Sequence, residues 1–481
     1  MPFFSGGLVA RKSEQQGDPP GMEENDDLRR ARGVRTLELD EELLTDIREL
    51  IHDDARISLL NILADLHPAD IADLIDNVDD DGKRYLFSLL SPESAGEVLA
   101  ELSESARQHL IETITPESLT RIVRELESDD AANLVRDLPK DVADRLLETI
   151  EADDAANVET LLRYPEDTAG GIMATEVLTV LSTDTVKTAI RKAREFAKRG
   201  LQLDVLYVVD QQRVLLGALP AGDLILQGPG RRMGKVMQPA ISVKAEMDQE
   251  EVANVMEKYN LVSVPVVDDR DHLIGRISVD DIVDVIKEEA TEDIERMAGL
   301  TGTEETSSSV FATSRIRLPW LMVGFAGELL SARVLSAFQA SLEEIIAAAF
   351  FIPIIMAMGG NAGIQSSAIV VRGLATGEVR FGQTGRRLLK ECGIALTNGA
   401  ILSMMLFGVC YFWLHDVRFG TTVALALLVV VMNATVVGAM IPFALERFKI
   451  DPAIATGPFI TTTNDALGLL IYFGFMTLLY S

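Results

Sequence analysis

The sequence predicts a multidomain membrane protein: an all-α superhelical amino-terminal domain, a pair of small α/β domains, and a five-helix α transmembrane domain. Three observations support this fold class. The charge is uneven, since residues 1–313 carry −32 and residues 314–481 carry +2. A proline recurs every 24 residues in the first part, and long apolar segments fill the last. The net negative charge of residues 1–313 would repel nucleic acid and anionic lipid. No nucleic-acid partner is therefore expected.

Shifts in composition set the expected domain boundaries. They are 1–35 for a disordered tail, 36–166 for the helical domain, 167–280 for the α/β pair, 281–313 for a connecting helix with its linker, and 314–481 for the transmembrane domain. No signal-peptide core precedes the acidic part, which is therefore expected in the cytosol. Cys392 and Cys410 both lie in apolar segments, so neither a disulfide framework nor a zinc site is expected.

The helical domain is predicted from its repeat. Pro68, Pro92 and Pro116 are spaced 24 residues apart, and each begins an acidic, amphipathic run. Ser91 and Thr115 are expected to cap helices whose first residue is proline. Two short helices per repeat are typical of a helical solenoid, predicted here to be right-wound. A plain acidic scaffold and a direct sensing role both remain open for this domain.

The α/β pair follows from two runs with the order short strand, helix, paired strands, helix. The second run ends in GRISVDD at 275–281, and the arrangement resembles tandem CBS domains. That family can hold an adenine nucleotide, which would place Ser278 and Asp281 on the ribose. The first copy has Pro-Ala-Gly-Asp at 220–223 instead. This departure counts against nucleotide binding, so ATP stays an open alternative as a cofactor.

A continuous helix is predicted over 281–300, with apolar positions at Ile282, Val285, Ile286 and Ile294. Acidic residues at spacings of three and four share one face, and like charges so placed destabilise a helix. They are Asp281, Asp284, Glu288, Glu292 and Glu295. A divalent cation would reverse that repulsion. A solvated linker helix is the alternative.

Five apolar segments are each long enough to cross a bilayer core of ~30 Å. They are 318–341, 345–371, 388–414, 421–445 and 453–479. Basic residues collect before the first segment, between the second and third, and between the fourth and fifth. The basic side is expected to face the cytosol. An odd number of spans then places the C-terminus outside.

Two segments carry polar groups at membrane depth. The second contains Gly359, Gly360, Asn361, Gly363 and Gln365, groups tolerated there only against protein or a water-filled path. The fifth contains Asp465, and the residues Pro458, Thr462 and Asn464 precede it. An intramembrane acid among hydroxyls and amides indicates a cation site. The alternative is an aspartate satisfied by a neighbouring helix, while Glu328 and Glu391 are weaker candidates.

Both segments, PIIMAMGGNAGIQSSAIVVRGLATGE at 353–378 and DPAIATGPFITTTNDALG at 451–468, resemble the two signatures of the MgtE family of magnesium channels and transporters. The resemblance implies a homodimer in the plasma membrane with a pore between subunits, and it matches Asp465 to the selectivity carboxylate. It also implies that regulatory Mg²⁺ among the cytosolic domains closes the pore. The matching positions are Asp248, Glu250, Asp281, Asp284, Glu289, Glu292 and Asp293.

The expected function is that of a Mg²⁺-selective, channel-type importer of the plasma (inner) membrane, with cytosolic N-terminal domains and lipid around its spans. Enzyme function is not expected, because the five histidines are scattered, no nucleophile–base set stands out, and no GxxxxGK[ST] run is present. Two alternatives remain open. One is a broader importer of Co²⁺, Mn²⁺ or Ni²⁺, and the other is a CBS-type membrane sensor of Mg²⁺ that transports nothing.

Overall fold

The computed structural model describes residues 41–298, 300, 310–375 and 384–480. The chain divides into two compact units, Met1–Ala106 and Arg107–Ser481. The predicted tail and most of the predicted linker after the connecting helix lie outside the described residues. The domain boundaries drawn from composition stay a prediction.

The first unit contains short amphipathic helices. They are α1 Glu41–His52, α2 Arg56–Ala64, α3 Pro68–Asp76, α4 Asp80–Ser88 and α5 Pro92–Glu101. The Ser91 hydroxyl accepts from the Ser94 N–H at 3.2 Å, as predicted for an N-cap followed by proline. Helix α3 packs against both α4 and α5, with Ile75 and Val98 fully buried. The repeat therefore corresponds to a pair of helices.

The same pattern continues across the unit boundary and into the second unit. The helices are α6 Glu104–Thr113, α7 Pro116–Val123, α8 Ser128–Asp137, α9 Lys140–Thr149 and α10 Ala152–Leu161. Thr115 caps α7 by accepting from the Ser118 N–H at 3.4 Å. Helix α7 packs on α9, and α8 packs on α10. Alternate helices thus pack on each other within this unit, while the hand of the predicted superhelix stays a prediction.

Two three-stranded sheets follow, in the predicted order. The first half comprises β1 Thr179–Leu181, α11 Val186–Ala197, β2 Val205–Val209, β3 Leu215–Pro220 and α12 Ala221–Leu226; the second comprises β4 Val243–Lys244, α13 Gln249–Tyr259, β5 Ser263–Val267, β6 Leu273–Ser278 and α14 Val279–Met297. In each sheet the central strand pairs parallel with the first and antiparallel with the third. A buried hydrogen bond of 2.8 Å between the Tyr207 and Ser263 hydroxyls joins the two halves.

Helix α14 is the predicted connecting helix, and only part of its apolar stripe is buried. Ile282 and Val285 are 3% and 4% exposed, whereas Ile286 and Ile294 are 49% and 68% exposed. Helix α14 contacts α13, β6 and the turn Pro452–Thr456. Periodicity placed all four residues on one apolar stripe, but those neighbours cover only its first part.

The described residues include five helices that are long and apolar enough to span a membrane, as predicted. They are α15 Val310–Ala337, α17 Ile352–Ala375, α18 Thr384–Leu414, α19 Val417–Arg447 and α20 Pro458–Phe475; a short α16, Gln339–Glu344, lies between the first two. The predicted bounds of two spans were wrong. The first span ends at Ala337, and the last helix begins at Pro458 after a 3₁₀ turn, because proline cannot continue a helix from upstream.

Helix α19 organises the transmembrane domain. Both α17 and α18 pack along it, and α20 packs against α15, α17 and α19. Phe351, Phe419 and Tyr472 are buried in this core, and the Tyr472 hydroxyl donates to the Ala348 carbonyl at 2.9 Å. The glycine-rich segment of α17 forms one unbroken helix within this packing.

Candidate cation sites in the membrane and in the soluble domains

The intramembrane acid of α20 lies beside a second acid on α15. Asp465 is 6% exposed, and its carboxyl is close enough to that of Glu328 to share a hydrogen bond. Glu328 is exposed at the surface of the protomer. A neighbouring helix does approach Asp465, as the alternative interpretation expected, but the group it presents is a second carboxyl. A second carboxyl does not neutralise the charge of the first.

Close packing of α15 on α20 fixes this pair. A Cβ built on Gly327 would lie 2.2 Å from Thr462 Cγ2, so the α15 backbone approaches α20 as only glycine permits. Trp320 of α15 and Phe459 of α20 add to this helix contact. Their rings meet edge to face with centroids 6.1 Å apart. Thr462, predicted to line the pore, is thus a packing partner of α15 in this protomer.

The other side of α20 faces the glycines of α17. Asn464 is 2% exposed, and neither of its amide atoms has a hydrogen-bond partner among the described residues. A Cβ on Gly363 would lie 2.1 Å from Asn464 Nδ2, and one on Gly359 would lie 3.0 Å from Val430 Cγ1. These glycines allow close helix packing, whereas open space lies beside Gly360. Their role in lining a pore stays a prediction.

Asn361 and Gln365 project from α17 and are exposed in the protomer. Both line a cavity of about 360 Å³ between α17, α18 and α19. Glu391, one of the weaker candidates, lies in the same wall and is 2% exposed. Its carboxylate accepts from the Ser366 hydroxyl at 3.2 Å and lies 3.3 Å from the Arg387 guanidinium. Glu391 is therefore neutralised within its own helix.

A group of acids in the soluble part surrounds the start of α13 and the middle of α14. Asp248 caps α13 by accepting from the Glu250 N–H at 2.9 Å, and Gln249 Nε2 donates to Glu289 Oε1 at 2.7 Å. Burial first, and then the nearby charges of Glu289, Asp293 and Asp248, raise the pKa of Glu250 to about 7. Burial also raises the pKa of Glu289 and of Asp293.

The turn that leads into α20 completes this group. Asp451 begins the turn, accepts from the Ala453 N–H at 2.8 Å, and forms an ion pair with Arg296 of α14. Arg296 also pairs with Glu292. Asp451 acts electrostatically on both Glu250 and Asp293. Asp451 was not among the predicted metal ligands, although an acid directly before a proline at the start of a membrane span was a signal for it in the sequence.

We call Asp248, Glu250, Glu289, Asp293 and Asp451 the α14 acidic group. In the part of the chain that the structure describes, no three carboxylate, imidazole or thiol side chains converge closely enough to hold a metal ion. The acids of the group are therefore electrostatic neighbours and do not form a coordination sphere in this geometry. Asp284 is exposed on α14 and is not brought into the group.

Ser278 and Asp281, the predicted nucleotide contacts, bind each other. The Ser278 N–H donates to Asp281 Oδ2 at 3.1 Å, its hydroxyl donates to the same oxygen, and together they form a capping box at the start of α14. Nearby, burial raises the pKa of Asp129 well above its usual range, and the charge of Asp281 adds to the shift. Asp129 was not among the predicted site residues, because Asp281, whose charge acts on it, lies far away in the sequence.

Comparisons with known proteins cover all three regions. Residues 352–475 match a family model described as a divalent cation transporter, residues 66–167 match the MgtE intracellular N domain, and residues 233–288 match a CBS domain. The magnesium transporter MgtE of Bacillus subtilis is 37% identical over 321 residues, which are 66% of this chain and 71% of that protein. The chain belongs to the MgtE family of magnesium transporters.

A second relative and a solved structure are also similar to this chain. The magnesium transporter MgtE of Thermus thermophilus is 37% identical over 325 residues, which are 67% of this chain and 72% of that one. A crystal structure of the cytosolic domain of the Mg²⁺ channel MgtE in complex with ATP is 33% identical, with a TM-score of 0.48 over 50% of this chain and 99% of that one.

The regions that match family models include some of the candidate site residues and exclude others. The transporter match covers α17 to α20 and so includes Asp465, but it begins after α15 and excludes Glu328. The CBS match covers the second sheet and the start of α14, and the first sheet has the same strand order as the second.

Proposed function

We propose that this MgtE chain is a Mg²⁺-selective, channel-type importer of the plasma membrane that works as a homodimer. Its soluble domains face the cytosol and its C-terminus lies outside, in keeping with basic residues at the α15, α17 and α19 ends that share one side of the membrane. The observation that carries the proposal is Asp465, a carboxyl held at membrane depth beside a second carboxyl. The relatives named as magnesium transporters support it.

A hydrated ion suits this site. Mg²⁺ sheds water reluctantly, and proteins usually hold it through one or two carboxylates and several retained waters. An inside-negative potential favours entry by ~2.3 kcal/mol per charge per 100 mV, and the divalent ion doubles that driving force. No further energy source is needed for import down this gradient.

For gating, we propose that Mg²⁺ binds among the α14 acidic group and near Asp281. Arg296 connects α14 to Asp451, and the turn that begins at Asp451 leads directly into the helix that carries Asp465. Carboxylates with raised pKa values repel one another when ionised. A bound dication removes that repulsion and favours the state in which α13, α14 and the turn lie close together. The shift equals the difference in Mg²⁺ affinity between the two states.

The regulatory ligands proposed from the family resemblance are Asp248, Glu250, Asp281, Asp284, Glu289, Glu292 and Asp293, to which the contacts above add Asp129 and Asp451. ATP at Ser278 and Asp281 stays a prediction. A nucleotide there would have to replace the hydrogen bonds that these two residues already make with each other.

The test of the pore site is Mg²⁺ flux into vesicles that contain the full chain. Asp465→Asn removes the buried charge and keeps the shape, and we expect it to abolish uptake. The matched control is Glu343→Gln, which removes an acid from the exposed segment between the first two spans and should transport like the wild type. Full uptake by Asp465→Asn would contradict the assignment.

A second candidate is an importer of several divalent cations, because the matched membrane model is described as a divalent cation transporter without naming magnesium. The same vesicles separate the two. Block of Mg²⁺ uptake by equimolar Co²⁺, Mn²⁺ or Ni²⁺, with uptake of those ions, would favour the broader function. A wild-type chain that carries no flux of any divalent ion would indicate a sensor instead.

A further inference from the structure

The carboxyl that faces Asp465 is not explained by the proposed function. We propose that Glu328 is a second carboxylate ligand for the cation at Asp465, so that each protomer offers two acids to the ion instead of one. The inference rests on the proposed function, because it assumes that a cation passes Asp465. Glu328 lies on α15, outside the region that matches the transporter model.

The environment of Glu328 is the first argument. It lies within the membrane span Thr313–Ala337 and is exposed at the protomer surface. A charged side chain at that depth is unfavourable in lipid, and such residues face a water-filled path, a protein partner or an ion. Its immediate neighbour is the buried carboxyl of Asp465. The pair therefore consists of Glu328 at the protomer surface and the buried Asp465 next to it.

The rigidity of the contact is the second argument. Gly327 and Thr462 touch more closely than any side chain at position 327 would allow. Since Glu328 follows Gly327 and Asp465 lies one helical turn after Thr462, this contact sets the two carboxyls opposite each other. The pairing thus follows from helix packing and does not depend on a flexible side chain reaching across a gap.

The charge balance is the third argument. Two ionised carboxylates held side by side repel each other, and a cation between them removes that repulsion. The groups that act on Asp465 in the described residues include no basic side chain. The adjacent Asn464 is buried with both amide atoms unpartnered, so the same turn of α20 holds a third polar group without a partner in the protomer. With no basic side chain acting on Asp465 in the described residues, the two acids are left for a cation to partner.

The flux test compares three variants of the full chain in vesicles. For Glu328→Gln we expect the Mg²⁺ concentration at half-maximal uptake to rise about tenfold or more, the factor expected from losing one charge-assisted contact. Glu328→Asp keeps a carboxylate and should recover part of that loss. Glu343→Gln is the matched control and should not shift the curve.

These outcomes separate the two proposals. Unchanged Mg²⁺ dependence in Glu328→Gln, together with a dead Asp465→Asn, would overturn the role of Glu328 and leave the pore site in place. Normal uptake by Asp465→Asn would overturn the proposed function itself, and the present inference with it.

A chemical readout does not depend on flux. A water-soluble carbodiimide couples an amine to carboxyls that solvent can reach and leaves an amide that peptide mass spectrometry locates. We expect labelling of Glu328 in metal-free vesicles and its suppression by Mg²⁺. The suppression should be lost in Asp465→Asn, because the ion would then have lost its other ligand. Absence of labelling, absence of protection, or protection that persists in Asp465→Asn would each overturn the proposal.

Discussion

The two acidic sites of this protein differ in the partners that their carboxyls have. In the α14 acidic group, Asp248 and Asp451 accept backbone N–H groups, Glu289 accepts from Gln249, and Asp451 pairs with Arg296. In the membrane, Asp465 has Glu328 as its neighbour. The soluble group can therefore persist with or without a cation, as a switch requires. No basic side chain acts on Asp465 in the described residues, so the proposed permeating ion would supply the positive charge beside the membrane pair.

A third set of acids shows that membrane depth alone does not create the difference. Glu391 is as buried as Asp465, yet it has Arg387 and Ser366 beside it. Asp416 accepts from the Phe419 N–H at 3.0 Å and from the Tyr480 hydroxyl. Within the transmembrane domain, we take a carboxyl as a candidate for the ion path when the fold leaves it without donors. The following predictions test the contrast between the soluble and membrane sites.

The largest effect is expected from neutralising the soluble switch. The triple variant Glu250→Gln, Glu289→Gln and Asp293→Asn should conduct at Mg²⁺ concentrations that close the wild type, because the ion has lost three of its proposed regulatory ligands. The midpoint of protection of the soluble part against protease should move at least about tenfold to higher Mg²⁺, the factor that corresponds to 1.4 kcal/mol.

The control for that prediction removes the same charge from exposed positions. Glu251→Gln, Glu257→Gln and Asp269→Asn lie on the same domain outside the α14 acidic group and should leave the midpoint unchanged. An equal shift in the control would show that bulk negative charge, and not the α14 acidic group, sets the response to Mg²⁺.

An intermediate effect is expected at Asp129. Burial raises its pKa in the folded chain, so the folded state binds the proton more tightly and stability falls as pH rises through that range. Asp129→Asn should raise the melting temperature in chelator at pH 8 by roughly 2–4 °C, the shift that about 1 kcal/mol gives in a domain of 150–250 residues. The gain should shrink toward pH 5.

Asp153→Asn is the matched control, because Asp153 holds the equivalent first-turn position in α10 but is exposed. It should change the melting temperature little at either pH. If Asp129→Asn lowers stability in chelator at pH 8, a contact within the fold stabilises the buried charge of Asp129. Asp129 would then resemble Glu391, which has donors, and not Asp465, which lacks them among the described residues.

The smallest effect is expected at Asp416, which has donors. The Tyr480 hydroxyl first, and then the Phe419 N–H, lower the pKa of Asp416. A lowered pKa contributes stability above the usual pKa of aspartate, and the contribution is lost as pH falls through the folded value. Asp416→Asn keeps the cap of α19, so we expect a melting temperature slightly below wild type at pH 7.

That difference should begin to shrink at about pH 4, where an ordinary aspartate is about half protonated, and should disappear once pH falls below the lowered pKa of the folded chain. Mg²⁺ uptake by Asp416→Asn should match the wild type at neutral pH. Loss of uptake would show that an acid with a full set of donors can still serve the ion path, and would break the distinction drawn between the sites.

The sequence by itself determined the kinds of elements and their order. Apolar length gave five spans, the 24-residue proline spacing gave paired helices, and alternating runs gave two small sheets. It also pointed to Asp465, because a lone acid in an apolar run is visible without any partner. These features are local, since each follows from residues that are neighbours along the chain.

Only the tertiary structure decided which element lies against which. It brought Glu328 to Asp465, Asp451 to Arg296 and Asp129 to Asp281, and it assigned Gly327 and Gly363 to helix contacts. Periodicity shows which face of a helix is apolar or acidic, but it does not encode the identity of the facing helix. The charge state and the function of a carboxyl depend on the facing helix, because that helix supplies the hydrogen-bond donors or the like charges that lie beside it.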